Sequence, residues 1–176
     1  ALPEKPAGAV LFFVGDIMLS RSVSARVSRV GEGDYSYPFL EVASVLNEAD
    51  MVFGNLESPI SARGRNQGSI YSFRADPRAI EGLSYAGFDV LSLANNHIWD
   101  WGADALIDTV SILKGGGIAT VGAGANYEQA NKPAMFEVGG ARVAILAYTN
   151  LLPENMQASG EFPGLSDFDL DRVEES

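Results

Sequence analysis

Three short polar segments carry the side chains that could do chemistry: Gly15-Asp16, Gly54-Asn55-Leu56-Glu57 and Asn95-Asn96-His97. Asp16 offers a hard oxygen ligand. Asn55 and Glu57 stand two apart, so an extended backbone turns an amide carbonyl and a carboxylate to one side. Asn96 and His97 add an amide and the sole imidazole of the chain. Carboxylate, amide and imidazole donors together suit Mg²⁺, Mn²⁺ or a related divalent ion better than a structural zinc site. The absence of cysteine excludes disulfides, thiolate metal sites and a cysteine nucleophile.

Each residue also has a plainer reading. An Asp after a strand serves as often as a turn former or helix cap. Asn-Asn ahead of a helix can be a cap, and Asp100 can cap the helix that begins near Trp101. Glu57, before Ser58-Pro59, can be loop surface, and His97 a buried hydrogen-bonder. What favours a site is the coincidence of all three segments. Arg63, Arg65, Arg74 and Arg78 flank the second segment and either meet an anionic substrate or remain solvated. Asn95 and Trp99 lie where a substrate would touch; Trp99 and Trp101 either wall a pocket or pack inside. Gly122-Ala123-Gly124-Ala125-Asn126 could offer backbone N–H groups to an anion, but turn geometry explains it as well. No nucleophile elbow is present, and a triad would have to use His97, for which no partner pattern stands out.

The elements that must position these residues follow from hydropathy. Residues 9–14, 50–53 and 89–93 read as buried strands, each delivering one polar segment. Ser20 to Val30 has valines at helical spacing, followed by the turn Gly31-Glu32-Gly33-Asp34. Pro38 to Leu46 predicts a helix with Phe39, Val42, Ala43 and Leu46 on one face. Residues 61–69 carry no hydrophobic period and read as a mobile loop. Asp76-Pro77 is a helix start that Gly87 ends. A helix from Trp101 to Lys114 stops at three glycines, and 118–121 is strand-like. Strands at 134–138 and 141–147 flank Gly139-Gly140, a hairpin turn. This rhythm predicts a layered α/β domain: a mostly parallel or mixed sheet with helices on both faces. Sites in such sheets form outside the carboxyl ends of the strands, where all three polar segments fall.

The chain has 176 residues, 47% hydrophobic, enough for a single domain over 9–176. Its apolar runs stop at strand length, so none spans a bilayer. Residues 1–8 read as a linker, left by removal of an anchor or signal, or as an arbitrary boundary. The net charge of −11, from 23 acidic and 12 basic residues, argues against nucleic-acid binding. Acidic residues concentrate in 167–176, where repulsion predicts a frayed end if nothing follows it.

Phe13-Val14-Gly15-Asp16-Ile17-Met18-Leu19, Gly54-Asn55-Leu56-Glu57-Ser58-Pro59-Ile60 and the run from Ala86 through His97 resemble the CapA family. These are poly-γ-glutamate capsule biosynthesis proteins related to the calcineurin-like metallophosphoesterases. Trp99-Asp100-Trp101-Gly102, Asp108-Thr109 and Val121-Gly122-Ala123-Gly124 continue the likeness, which covers residues 9 to at least 149. The resemblance implies a metallophosphoesterase-like fold with Asp16 as the first metal ligand. It puts Asn55 and Glu57 where bridging or second-metal ligands stand, makes Asn96 a metal ligand, and lets His97 assist the leaving group. Asp16 and His97 are the catalytic candidates, with Mn²⁺ or Mg²⁺ as cofactor. The implied setting is extracytoplasmic, at the cell envelope or membrane-anchored, handling an anionic polymer such as poly-γ-glutamate with membrane-associated capsule machinery. Two departures stand out. The phosphoesterases usually open with Asp and His two apart, and Met18 occupies the His position here. The further His motifs expected downstream are missing, and 169–176 reads as the start of a helix, so the domain is expected to be truncated. A non-enzymatic assembly subunit and a general phosphoesterase are the alternative expectations.

Overall fold

The structure, a computed structural model, describes residues 8–151 and 154–169. The linker reading of 1–7 and the helix expected within 170–176 lie outside the described residues. Four strands, β1 (Leu11–Ile17), β2 (Met51–Leu56), β3 (Val90–Ser92) and β4 (Ala119–Val121), form one parallel sheet in chain order. Between them run α1 (Arg21–Arg29), α2 (Ala43–Leu46), α3 (Ala79–Tyr85) and α4 (Gly102–Gly115). After the sheet come β5 (Ala123–Gly124), α5 (Tyr127–Asn131), β6 (Ala134–Val138), β7 (Ala141–Ile145) and β8 (Gly164–Leu165).

Alternation along the strands divides the apolar residues between two cores. Val52, Leu56, Leu91 and Leu93 pack with the helical residues Phe39, Leu46, Leu83, Leu106 and Leu113. Met51, Val90 and Val121 pack with Val138 and with Phe136, Val143 and Ile145 of the β6–β7 hairpin. The result is a mixed α/β fold in which helices and small sheets cover the parallel sheet. Strand amides at the sheet's start are tied down by carboxylates, Asp50 accepting from Val10 N–H and Asp89 from Val52 N–H, both at 2.8 Å.

Several expectations are corrected. The first strand runs on through Gly15 and Asp16 to Ile17, with a register shift between Phe13 and Asp16. It is an edge strand with β2 as its one neighbour in the sheet, so it is not fully buried: Phe13 is 61% exposed. An unbroken apolar run does not tell an edge from a centre. The hairpin forms a separate two-stranded sheet, so the main sheet is purely parallel. The chain leaves the main sheet at Gly122 (φ +83°), where a Cβ would stand 2.5 Å from Ala94 Cβ. The span from Pro38 to Leu46 splits into a 3-10 turn (Tyr37–Phe39) and α2, because Val42 departs from helical φ at −115° and lies largely exposed.

Residues 61–69 form no regular element yet are docked. Ser61 Oγ donates to Asp108 Oδ2 at 2.6 Å, Arg65 N–H to Trp101 O at 3.1 Å and Gln67 N–H to Asp100 O at 2.9 Å. Gly64 (φ +83°) permits this approach, since a Cβ there would lie 2.1 Å from Trp101 O. The loop therefore belongs to the wall around the sheet's carboxyl edge.

Candidate functional site at the carboxyl edge of the sheet

Parallel pairing sets Asp16 opposite Asn55 and Asn55 opposite Ser92. Asn55 Nδ2 donates to Asp16 Oδ1 at 2.8 Å, and Asn95 Nδ2 donates to Asn55 Oδ1 at 3.0 Å. The orientation of both amides is dictated from one end. Asn95 precedes a 3-10 turn (Asn96–Trp99), and its Oδ1 accepts the N–H groups of His97 and Ile98 at 3.1 and 3.0 Å. That cap forces Nδ2 toward Asn55 Oδ1 and Leu56 O. Asn55 must then present its carbonyl to Asn95 and its NH₂ to Asp16.

Beyond the cap, His97 Nδ1 lies 2.9 Å from Asp100 Oδ2. Asp100 is buried (5% exposed), and the same oxygen accepts Phe73 N–H at 2.7 Å. A buried carboxylate acts as acceptor, so Nδ1 carries the hydrogen and Nε2 keeps the lone pair. The Phe73 ring packs on the imidazole, with centroids 4.1 Å apart. This arrangement can take or return a proton at Nε2 with the ring locked in place.

The structure joins Asp16, Asn55, Asn95, His97 and Asp100 through one run of side-chain contacts and backbone. Asp16 is exposed, Asn95 buried. Glu57 follows β2 half-buried, its N–H donating to Ile17 O at 3.0 Å, and Asn96 is exposed at the start of the 3-10 turn. Among the described residues neither side chain hydrogen-bonds into the run. Trp99 packs against the helical core. Arg63 pairs with Asp108 at 3.3 Å, Arg74 lies 3.5 Å over the Trp101 ring, and Arg65 is exposed. Arg78 pairs with Glu81.

Asp100 does not cap α4, whose N-cap is Trp101; its side chain instead partners His97. The available signal was His-x-x-Asp, which puts the two side chains on one face of a helical turn. Phe73 had no comparable signal, because its roles come from a backbone N–H and a ring contact across the fold. The glycines near 122–124 serve turns and packing: a Cβ on Gly124 would meet Ala130 N at 2.5 Å.

Among the described residues, no group of three or more His, Asp or Glu side chains could hold a metal ion. Among the described residues, the unengaged oxygens at the Asp16 end are the carboxylate's other oxygen and the remaining lone pair of Asn55 Oδ1. Two such oxygens are fewer than the shell of a divalent ion requires. No helix among the described residues is long and apolar enough to cross a membrane.

The family model for the bacterial capsule synthesis protein PGA_cap matches residues 10–172. The chain is 34% identical over 155 residues to the capsule biosynthesis protein CapA of Bacillus anthracis, covering 86% of this chain and 37% of that protein. It is 34% identical over 158 residues to a probable polyglutamine synthesis accessory protein of Mycobacterium tuberculosis, covering 86% and 41%. Against the PGA biosynthesis protein CapA of Bacillus subtilis it is 28% identical over 156 residues, covering 87% and 40%. The chain thus spans about two fifths of the length of these relatives. Since the matched stretch takes in all three strand-end polar segments and the turn that holds His97, the chain belongs to the bacterial capsule synthesis protein PGA_cap family.

Proposed function

We propose that the chain is part of an envelope-associated protein of poly-γ-glutamate capsule biosynthesis or export, with the carboxyl edge of the parallel sheet as its working site. The observation that carries the chemical part is the locked His97–Asp100 pair at 2.9 Å, reached from Asp16 through Asn55 and Asn95. His97 is the acid–base residue: Nε2 accepts a proton from an attacking group and gives it to a leaving group, while Asp100 fixes the tautomer. Asp16, with Asn55, Glu57 and Asn96, would hold one side of an Mn²⁺ or Mg²⁺ ion, with ligands from outside the described residues needed to complete its shell. A divalent ion there would polarise a substrate oxygen. Arg63, Arg65, Arg74, Asn95 and Trp99 border the substrate path, with the anionic polymer or a phosphoester as substrate.

The test uses the complete natural protein with Asp16→Ala and His97→Ala. The expected result is loss of polymer production in both variants. Loss of micromolar Mn²⁺ binding, read by calorimetry, is expected in Asp16→Ala only. Undiminished polymer production by both variants would sink the enzymatic reading.

A non-enzymatic polymer-handling or assembly role is the second reading, favoured by the incomplete metal shell. It predicts that both variants still support polymer production. A general metal-dependent phosphoesterase, with the fold that name implies, is disfavoured by Met18. Its sulfur accepts Ser20 N–H at 3.3 Å and Ser20 Oγ–H at 3.1 Å, closing a local turn where the phosphoesterases carry a ligand histidine.

A further inference from the structure

Arg21 opens α1, five residues after Asp16 in the sequence, with its backbone in the left-handed region at φ +53°. An arginine has no conformational reason to sit there. Non-glycine residues hold such angles where the surroundings over-determine them, and they cluster at binding sites. What the angle accompanies is a particular placement of the side chain. The guanidinium carbon lies 5.6 Å from the centroid of the Phe73 ring and 6.0 Å from that of Tyr71.

Phe73 connects this arginine to the chemistry already described. Its N–H donates to the Asp100 oxygen that holds His97, and its ring packs on the His97 imidazole. One residue therefore sets the imidazole by its backbone, while its ring packs on the imidazole and lies within cation–π range of the guanidinium.

Three of the four other arginines near the site are engaged; Arg65 is exposed, and among the described residues it lies over no ring. Arg63 pairs with Asp108, Arg78 pairs with Glu81, and Arg74 lies on Trp101 with an N–H toward Arg63 O. Among the described residues Arg21 has no carboxylate partner, and it is exposed. A guanidinium lying over an aromatic ring uses its flat face and leaves its N–H edges open. Those edges match the two oxygens of a carboxylate or phosphate.

We propose that Arg21 receives the oxyanion of the substrate beside His97, presented from a left-handed backbone and laid against the ring that His97 packs on. This rests on His97 being the working residue of the site. It deepens that reading by naming the recognised group, a planar or tetrahedral oxyanion. The α-carboxylates of a γ-linked glutamate chain and a phosphate share that chemistry.

The complete natural protein and its Arg21→Ala, Arg21→Lys, Arg21→Gly and His97→Ala variants are titrated calorimetrically with a γ-linked glutamate oligomer and, separately, with inorganic phosphate. Arg21→Ala and Arg21→Gly are expected to weaken one of the two anions at least ~10-fold. The anion affected identifies the source. Arg21→Lys keeps the charge without the fork and is expected to fall between wild type and Arg21→Ala. Arg21→Gly separates binding from folding, because glycine takes φ +53° without strain and its melting midpoint should equal or exceed that of wild type. Wild-type affinity for both anions in a folded Arg21→Gly variant overturns the proposal, as does failure of the wild-type protein to bind either anion. If polymer production is lost in His97→Ala while Arg21→Gly binds normally, the arginine assignment fails and the site reading stands. If polymer production survives His97→Ala, the site reading fails, and the ratio of affinities still decides the arginine.

Discussion

Asp16 and Asp100 are the same residue at two ends of one polar run, in opposite physical settings. Asp16 is exposed on an edge strand and takes one hydrogen bond from an amide. Asp100 is 5% exposed, and its Oδ2 takes both the Phe73 N–H and the His97 Nδ1–H. A buried carboxylate with donors on it resists change, because removing it strands those donors without water to replace it. An exposed carboxylate on one amide can exchange that partner for a cation or a substrate at small cost. The first setting suits a residue that holds another in place, the second a residue that meets what arrives.

The largest expected effect breaks that contrast at its buried end. Asp100→Ala should lower unfolding free energy by about 2–4 kcal/mol, with one buried and one partly buried donor left unpaired. Asp16→Ala should change it by no more than about 0.5 kcal/mol. Urea midpoints of the two variants measured side by side check this, and equal shifts would remove the distinction. Asp100→Asn sharpens it. Both donors sit on one oxygen, so an amide oxygen in that place satisfies Phe73 N–H and His97 Nδ1–H together, and stability falls less than in Asp100→Ala. The imidazole keeps its tautomer but loses the negative charge beside it, so any activity that depends on His97 should fall by about 10-fold or more. The ¹⁵N shifts of the imidazole report the tautomer, and a switch of the hydrogen to Nε2 would refute the shared-oxygen arrangement.

A smaller effect is expected between the two ends. Asn95→Ala removes the cap on the 3-10 turn and the donor to Leu56 O, for an expected loss of about 1–2 kcal/mol. It also frees the Asn55 amide from the orientation imposed on it. Asp16 should then respond to Asn95 without touching it, as a change in the Asp16 carboxyl ¹³C shift. A silent Asp16 would mean that the run is a row of independent pairs.

Much of this arrangement was readable in the residues, and the parts that were not share a cause. Strand-length apolar runs ending in Asp16, Asn55 and Asn95 announced a sheet with polar groups at its carboxyl edge, because period and sheet handedness are local or general facts. That the first strand lies at the edge was not readable, since Phe13 looks the same in sequence whether a second neighbour covers it or not. The docking of 61–69 was equally hidden. It depends on Gly64 meeting Trp101 O across 37 positions of chain, and polarity alone reads as a free loop. Asp100 was seen but given the wrong neighbour. Proximity to Trp101 suggested a cap, whereas a helical turn brought it back to His97.

The smallest expected effect comes from a third carboxylate, and it separates two causes that Asp100 combines. Asp34 accepts two hydrogen bonds, from Ser36 N–H at 2.8 Å and Ser36 Oγ–H at 2.7 Å, yet lies exposed in a turn. These bonds hold its carboxyl below the ordinary 3.8, the hydroxyl first and the backbone N–H second. A folded-state value below the unfolded one contributes stability that is present above the unfolded value and lost as pH falls through the folded one. Ser36→Ala should therefore move the Asp34 midpoint up toward 3.8 in an NMR titration. The stability gap between wild type and variant should close on acidification. At neutral pH the urea midpoint of Asp34→Asn should fall slightly below that of wild type, and far less than that of Asp100→Asn, because water replaces most of what the turn supplied. If Asp34→Asn instead destabilises as strongly as Asp100→Asn, the number of hydrogen bonds and not burial would govern both, and the contrast between Asp16 and Asp100 would need no dielectric difference to explain it.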